Sequence, residues 1–384
     1  MRRVLVVFQL TIAFCLLTGS VLIVRQLRFL TDRPLGFTKE RMITIPLFNS
    51  NVNGIFRNRD STLDSRIEAF RHAVEAQAGV MGTALSSSPP GLGAMYRGTI
   101  PEGFAAEDNM FVANYSVGHD FLETFDMKLV AGRAFTPHST GDMTSSFIVN
   151  ETAVREFNWG SPQEALGRTI DREGKKGQVI GVVGDFHFVS LTTPISAIIL
   201  EMDPTQFATM SIRIAGTDTE ALIRSLESLW KASFPEKAFE YNFLDEQLSE
   251  QYATFRNFGL IIQSFTLVAI VIACLGVYGL ILFVVQRKVR EIGVRKVLGA
   301  NVGNILVMIF RDFSLLLIIG YLLAIPASYL LLDRWLSNFT YRVSIDIVTY
   351  IFSLLVLAAV VFSTIAYQAV KASLANPVKS LRTE

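Results

Sequence analysis

Four stretches of this chain run for about twenty residues or more without a charged side chain: Val4 to Val24, Phe258 to Val285, Phe313 to Leu332 and Ile347 to Val370. An α-helix rises 1.5 Å per residue, so each can cross the roughly 30 Å hydrocarbon core of a bilayer. A helix apolar on all sides has no place on the surface of an aqueous domain. The expected fold class is a membrane α-helical protein with four transmembrane helices, and the long polar stretch between helices 1 and 2 leaves room for a large α+β domain outside the membrane.

Charge beside the spans sets the orientation. Gln286 to Ala300 reads QRKVREIGVRKVLGA, with Arg287, Lys288, Arg290, Arg295 and Lys296 against a single Glu291. Lys and Arg flanking spans stay on the cytoplasmic side. Arg2, Arg3, Lys371, Lys379 and Arg382 fall on that same side of a four-span path. Residues 1–24, 257–312 and 371–384 hold 11 of the 35 Lys/Arg but 3 of the 34 Asp/Glu, leaving 24 basic and 31 acidic residues outside. Both termini are expected to be cytoplasmic, and the overall charge gives no case for nucleic-acid binding. A cleaved signal peptide competes for the first run, but the run is too long and no A-x-A-like site follows it. Phe14 stands before Cys15, where a lipoprotein acceptor needs a small residue. Cys15 and Cys274 both fall in apolar runs, so no disulfide framework is expected for the exported domain.

Residues 1–36 read as the first transmembrane helix and a stalk that continues past the bilayer until Pro34 and Gly36. Residues 37–245 change character, with mixed charge and short alternating segments that predict an aqueous α+β domain of two lobes. Strands are expected at 41–47, 110–117, 147–149, 178–183, 197–200, 210–214 and 239–243, and helices around Leu63 to Val74, 119–125, 151–157 and 220–233. Ser86 to Gly91, SSSPPG, predicts an irregular loop. Residues 246–384 hold spans at about 258–285, 313–332 and 347–370, with a connecting segment at 286–304. No Gly or Pro interrupts Glu246 to Asn257, which predicts one continuous rod into the second span. Asp312 reads as the N-cap of the third. Ala269, Ala273 and Gly276 share a face of the second span, as helix-packing residues or as a dimer seam.

Catalytic patterns are not found. The glycines at 174, 177, 181 and 184 lack the Lys and hydroxyl of a nucleotide-phosphate loop, so ATP is not expected to bind this chain alone. His72, His119, His138 and His187 have no metal-ligand spacing, Asp185-Phe186-His187 is a single local pair, and Ser86 to Ser88 lack a hydrolase elbow. No Asp, Glu, Lys or Arg interrupts the four runs, which disfavours a relay of ions or polar substrate through the bundle. Attention returns to the basic segment. Arg287, Glu291 and Arg295 fall at i, i+4 and i+8 of a helix, a stripe able to pair internally. A plain anchor needs only the charge, whereas an interaction helix also needs the interleaved Ile292, Gly293, Val294 and Leu298.

Glu291-Ile-Gly-Val-Arg-Lys-Val-Leu-Gly-Ala300, following Ala273-Cys-Leu-Gly-Val-Tyr-Gly279, resembles the FtsX-like permease domain of ABC transporters. Val117-Gly-His-Asp-Phe-Leu-Glu-Thr-Phe125, Ala131-Gly-Arg-Ala-Phe135, Ile148-Val-Asn-Glu-Thr-Ala153, Ile180-Gly-Val-Val-Gly-Asp-Phe-His-Phe188 and Asn376-Pro-Val-Lys-Ser-Leu381 resemble the MacB-like periplasmic core and tail of the same proteins. The resemblance implies a non-enzymatic permease of the bacterial inner membrane that acts as a mechanical lever. It implies that the basic segment docks on a cytoplasmic ABC ATPase through Arg287, Arg290, Glu291, Gly293, Arg295, Lys296, Leu298 and Gly299. ATP and Mg would then be bound by that ATPase, and no cofactor by this chain. A second permease subunit, in a homodimer or heterodimer, membrane lipid and a periplasmic adaptor or outer-membrane component are the other implied partners. Where family members carry a fused ATPase it precedes the first span; here only Met1-Arg2-Arg3 does, so a separate nucleotide-binding subunit is expected. Efflux or extraction of an antimicrobial peptide, drug or lipoprotein is the implied activity. The alternative is a signalling scaffold that transmits force to a cell-wall hydrolase or sensor.

Overall fold

The computed structural model describes residues 1–47, 61–216, 218–297 and 302–374. In chain order the elements are α1 (Arg2–Thr31), β1 (Met42–Pro46), α2 (Ser61–Glu75), β2 (Val80–Ser86), β3 (Met95–Pro101), β4 (Met110–Ser116), α3 (Phe121–Thr124), β5 (Leu129–Gly132), α4 (Thr140–Ser145), β6 (Ser146–Asn150) and α5 (Glu151–Glu156). They continue with α6 (Pro162–Ala165), β7 (Thr169–Arg172), β8 (Lys175–Val183), β9 (Ile198–Glu201), β10 (Thr209–Ile214), α7 (Thr219–Ser233), β11 (Asn242–Phe243), α8 (Leu244–Glu250), α9 (Ala253–Val297), α10 (Val302–Leu336) and α11 (Ile347–Leu374). Two compact units result, residues 1–32 with 252–384 and residues 33–251.

Residues 33–251 contain two sheets. The smaller is antiparallel, ordered β11-β1-β10-β2. Its apolar face is covered by α2 and α7, whose Leu63, Ile67, Phe70, Val74, Leu222, Leu226 and Trp230 recur at helical spacing and join one core with Ile43, Ile45 and Ile212. Phe70 meets Trp230 edge to face at 5.3 Å. The larger sheet is mixed, ordered β5-β8-β6-β9-β4-β3-β7, and β7 also pairs with β8. Six strands therefore close a circuit, leaving β5 as an extra strand beside the far half of β8. That packing is tight: a Cβ on Gly132, at φ +76°, would meet Ile180 O at 2.2 Å, and one on Gly181 would meet Arg133 O at 2.4 Å. Only glycine fits both positions.

The sequence motifs of this domain are its joints. Phe121, Phe125, Phe186 and Phe188 pack around the fully buried Tyr115, whose hydroxyl donates to Phe188 O at 2.9 Å. Asn150 caps α5 by accepting from Ala153 N, and also accepts from Ile198 N while donating to Asp185 and to Ser196 O. Asp185 in turn accepts from Thr152 N, Thr152 Oγ1 and Arg155. Its oxygens are thus committed to holding the ends of β6 and β8 together. Arg133 forms a two-pronged bond to Asp142, 2.8 Å at each oxygen, and this holds the Asp142 carboxyl down at about 2. A depressed carboxyl stabilises the fold above its unfolded value and loses that contribution as the pH falls towards its folded value. Asp142→Asn should therefore cost about 1–2 kcal/mol at pH 7, discounted because Arg133 is half exposed, with the gap narrowing between about pH 4 and pH 2. Denaturant melts of wild type and variant across that range would measure it.

The other unit is a bundle of four helices long and apolar enough to span a membrane. At 30 and 45 residues, α1 and α9 extend about 45 Å and 68 Å, both longer than a hydrocarbon core. Apolar contacts from α1 reach α9, α10 and α11 in one core. Small residues let them approach: Gly259 faces Ile23, Gly276 faces Gln9 and Gly320 faces Leu10. Between them, Thr266 Oγ1 donates to Leu16 O and Thr11 Oγ1 to Gly320 O. At one end Gln26 clips the turn between α10 and α11, bonding Tyr341 O and Val343 N, and Arg25 takes both oxygens of Asp346. Leu260, Phe265, Leu267 and Leu275 of α9 remain exposed, as expected of a surface covered by lipid or another subunit.

Several sequence expectations are corrected. β2, β3, β5 and β7 had no expected counterpart, and of the strand expected at 239–243 only Asn242–Phe243 pairs, while Phe239 packs on the core beside Trp230. The continuous rod through Glu246 to Asn257 is broken at Gln251 and Tyr252. Leu244 and Leu248 are buried in the domain core and Gln251 Nε2 donates to Gly91 O, which ties α8 to the domain. Asp312 is not an N-cap: α10 begins at Val302, and no proline lies between there and Asp312. Asp312 pairs with Lys288 instead, at 2.9 Å.

Candidate functional site

The basic segment is helical. No proline falls in α9, which runs through Gly293 without a break from its span to Val297, so residues 286–297 extend the spanning helix and do not form a loop. Residues 298–301, and with them Leu298 and Gly299, lie outside the described residues. Arg290, Gly293 and Lys296 are on the helix, but their side chains are not described.

The remaining residues form a ladder. Glu291 and Arg295 pair at 2.8 Å, the i,i+4 bridge that the spacing allows. Arg287 turns back, its guanidinium carbon 5.0 Å from the Phe283 ring centroid. Lys288 bridges to Asp312 and fixes the end of α9 against α10. Val294 is 53% exposed beside Arg295, so an apolar group is presented among the charges. Such a surface offers a docking partner both ion pairs and one desolvated contact. Among the described residues no three His, Cys, Asp or Glu side chains converge as a metal cluster would. Lys288 to Asp312 and Arg2 to Phe283 had no local signal, because each links residues far apart in sequence.

The small-residue face of α9 is occupied within the chain. Ala273 is fully buried, Ala269 packs on the same cluster, and a Cβ at Gly276 would fall 1.9 Å from Gln9 Oε1 of α1. This face therefore serves the pairing of α1 with α9.

With that geometry in place, the likenesses to other proteins can be set beside it. Residues 4–229 match the family description of the MacB-like periplasmic core domain, and residues 264–377 that of the FtsX-like permease C-terminal region. The macrolide export ATP-binding/permease protein MacB of Neisseria meningitidis is 25% identical over 286 residues, covering 70% of this chain and 43% of the relative. The chain thus spans less than half the length of that relative. The uncharacterised ABC transporter permease YvrN of Bacillus subtilis is 27% identical over 295 residues, 70% of each chain. Among solved structures, the periplasmic region of MacB from Actinobacillus actinomycetemcomitans covers 56% of this chain and 94% of its own, at 14% identity and a TM-score of 0.40.

Proposed function

Since this chain belongs to the MacB-like periplasmic core family and carries an FtsX-like permease region, we propose that it is the multi-pass membrane subunit of an ABC transporter driven by a separate cytoplasmic ATPase. The observation that carries this reading is the single helix α9, which joins the bilayer span to the charged ladder at Arg287, Glu291 and Arg295. A load applied at the ladder would move the whole helix, because no break separates the two. It would also move α1, packed on α9 through Gly259 and Gly276. In sequence, the 33–251 domain follows α1 and precedes α9, so both helices lead into it. The proposed action is a lever, with ATP and Mg handled by the partner. The orientation proposed is ladder and termini inside, domain in the periplasm, following the positive-inside rule. The uncharged run of every span supports substrate handling outside the bilayer, with an antimicrobial peptide, drug or lipoprotein as the proposed class. Two copies, or one with a second permease, form the proposed membrane assembly.

Reconstitution with the ATPase that co-purifies with it tests the lever. The hydrolysis rate should change at least about fivefold when the permease is present, the lower end of the usual range of coupling free energies. Arg295→Glu should abolish that change; an ATPase indifferent to the permease would contradict the proposal.

A further inference from the structure

The end of the bundle that bears the ladder holds a second arrangement, separate from the Glu291–Arg295 pair. Arg2 of α1 and Arg287 of α9 converge on one ring, their guanidinium carbons 4.4 and 5.0 Å from the Phe283 centroid. The two carbons are therefore within about 10 Å of each other. Like charges at such a separation repel, weakly in water and more strongly beside a low-dielectric bilayer, and an anion between or beside them relieves that repulsion. The described carboxylates at this end are spent elsewhere, Glu291 on Arg295 and Asp312 on Lys288. Among the described residues, neither Arg2 nor Arg287 has a carboxylate within ion-pair distance. The opposite end differs, since Arg25 there is neutralised by both oxygens of Asp346, whose carboxyl is held far below the usual range by that bond.

Position supplies the anion. Arg2 opens one candidate span and Arg287 lies at the end of another, Ala253–Lys288, which places both where lipid phosphates lie. A guanidinium takes a phosphate in a two-pronged fork, and a ring beneath it holds its plane. We propose that Arg2, Phe283 and Arg287 form a binding site for the phosphate of an anionic phospholipid, clasped between α1 and α9. Bound there, the lipid would join the two helices at the end where the ladder lies.

The test is native mass spectrometry of the full chain, purified and offered phosphatidylglycerol or phosphatidylcholine. Wild type should retain phosphatidylglycerol with about tenfold preference, because the choline cation of phosphatidylcholine is repelled by the two guanidiniums while its phosphate offers the same fork. The double variant Arg2→Gln, Arg287→Gln should lose that preference, while Arg342→Gln at the opposite end should keep it. Each single variant, and Phe283→Leu, should weaken it, which keeps the test readable if the double variant does not fold. Equal retention by wild type and the Arg2 and Arg287 variants would overturn the site. Displacement of the lipid by millimolar inorganic phosphate would overturn the lipid as its source and leave a soluble-anion site.

Discussion

Replacing Glu201 with alanine should cost the 33–251 domain about 3–5 kcal/mol, the usual result of removing one partner from a buried ion pair. Glu201 is 1% exposed on β9, inside the strand circuit. Its carboxylate accepts from Arg172 of β7, from Asn114 of β4 and, at 3.0 Å, from Lys175 of β8. Arg172 also bonds Asn114 Oδ1 at 2.6 Å, so three strands are tied through one acid. Without Glu201 the buried Arg172 and the partly exposed Lys175 stay over the Phe147 ring, both without their ion-pair partner. Thermal unfolding should fall by on the order of 10 °C. Arg224→Ala, which breaks the exposed pair with Glu220, should shift it by less than about 1 kcal/mol. A loss at Glu201 no larger than that control would show that the cluster does not hold the circuit.

Asn150→Ala is the second large effect, about 3 kcal/mol or more. The side chain is fully buried and uses both donors and its oxygen, at Asp185, Ser196, Ala153 and Ile198. Alanine leaves at least two backbone N–H groups unpaired in the interior, each costing about 1–3 kcal/mol. Asn150→Asp keeps the shape and the two acceptor bonds but sets a carboxylate against Asp185, so it should rescue little. Urea melts of the two variants would decide this: an Asn150→Asp as stable as wild type would mean that the bond to Asp185 contributes nothing.

These two positions also show where sequence reading reached its limit. The Ile148 to Ala153 and Ile180 to Phe188 motifs were visible as family marks. Their physical role, a cap that fastens β6, β8 and β9, depends on residues 35 to 48 positions apart. Glu201 gave no signal at all, because a charged residue at a strand end reads as exposed until three other strands enclose it. The spans were legible, since twenty uncharged apolar residues have few alternatives. So were α2 and α7, whose apolar spacing is regular. The missed β2 lacks an alternating pattern: four consecutive residues, Thr83 to Ser86, are buried because both its faces are covered. At the candidate site, the spacing of Glu291 and Arg295 foretold their pair. The bridge from Lys288 to Asp312 has no such spacing, because it joins α9 to α10, which begins at Val302 and not at Asp312.

The lever account is tested most directly by affinity capture from native membranes, comparing wild type with the double change Glu291→Arg, Arg295→Glu. The exchange keeps the net charge and an i,i+4 pair, so insertion should be unaffected, but it presents the reversed charge pattern to anything that docks there. The account predicts an ATPase captured with wild type and lost from the variant. An ATPase held equally by both, or none with either after crosslinking of correctly inserted protein, would contradict it and leave the basic segment as a topological anchor.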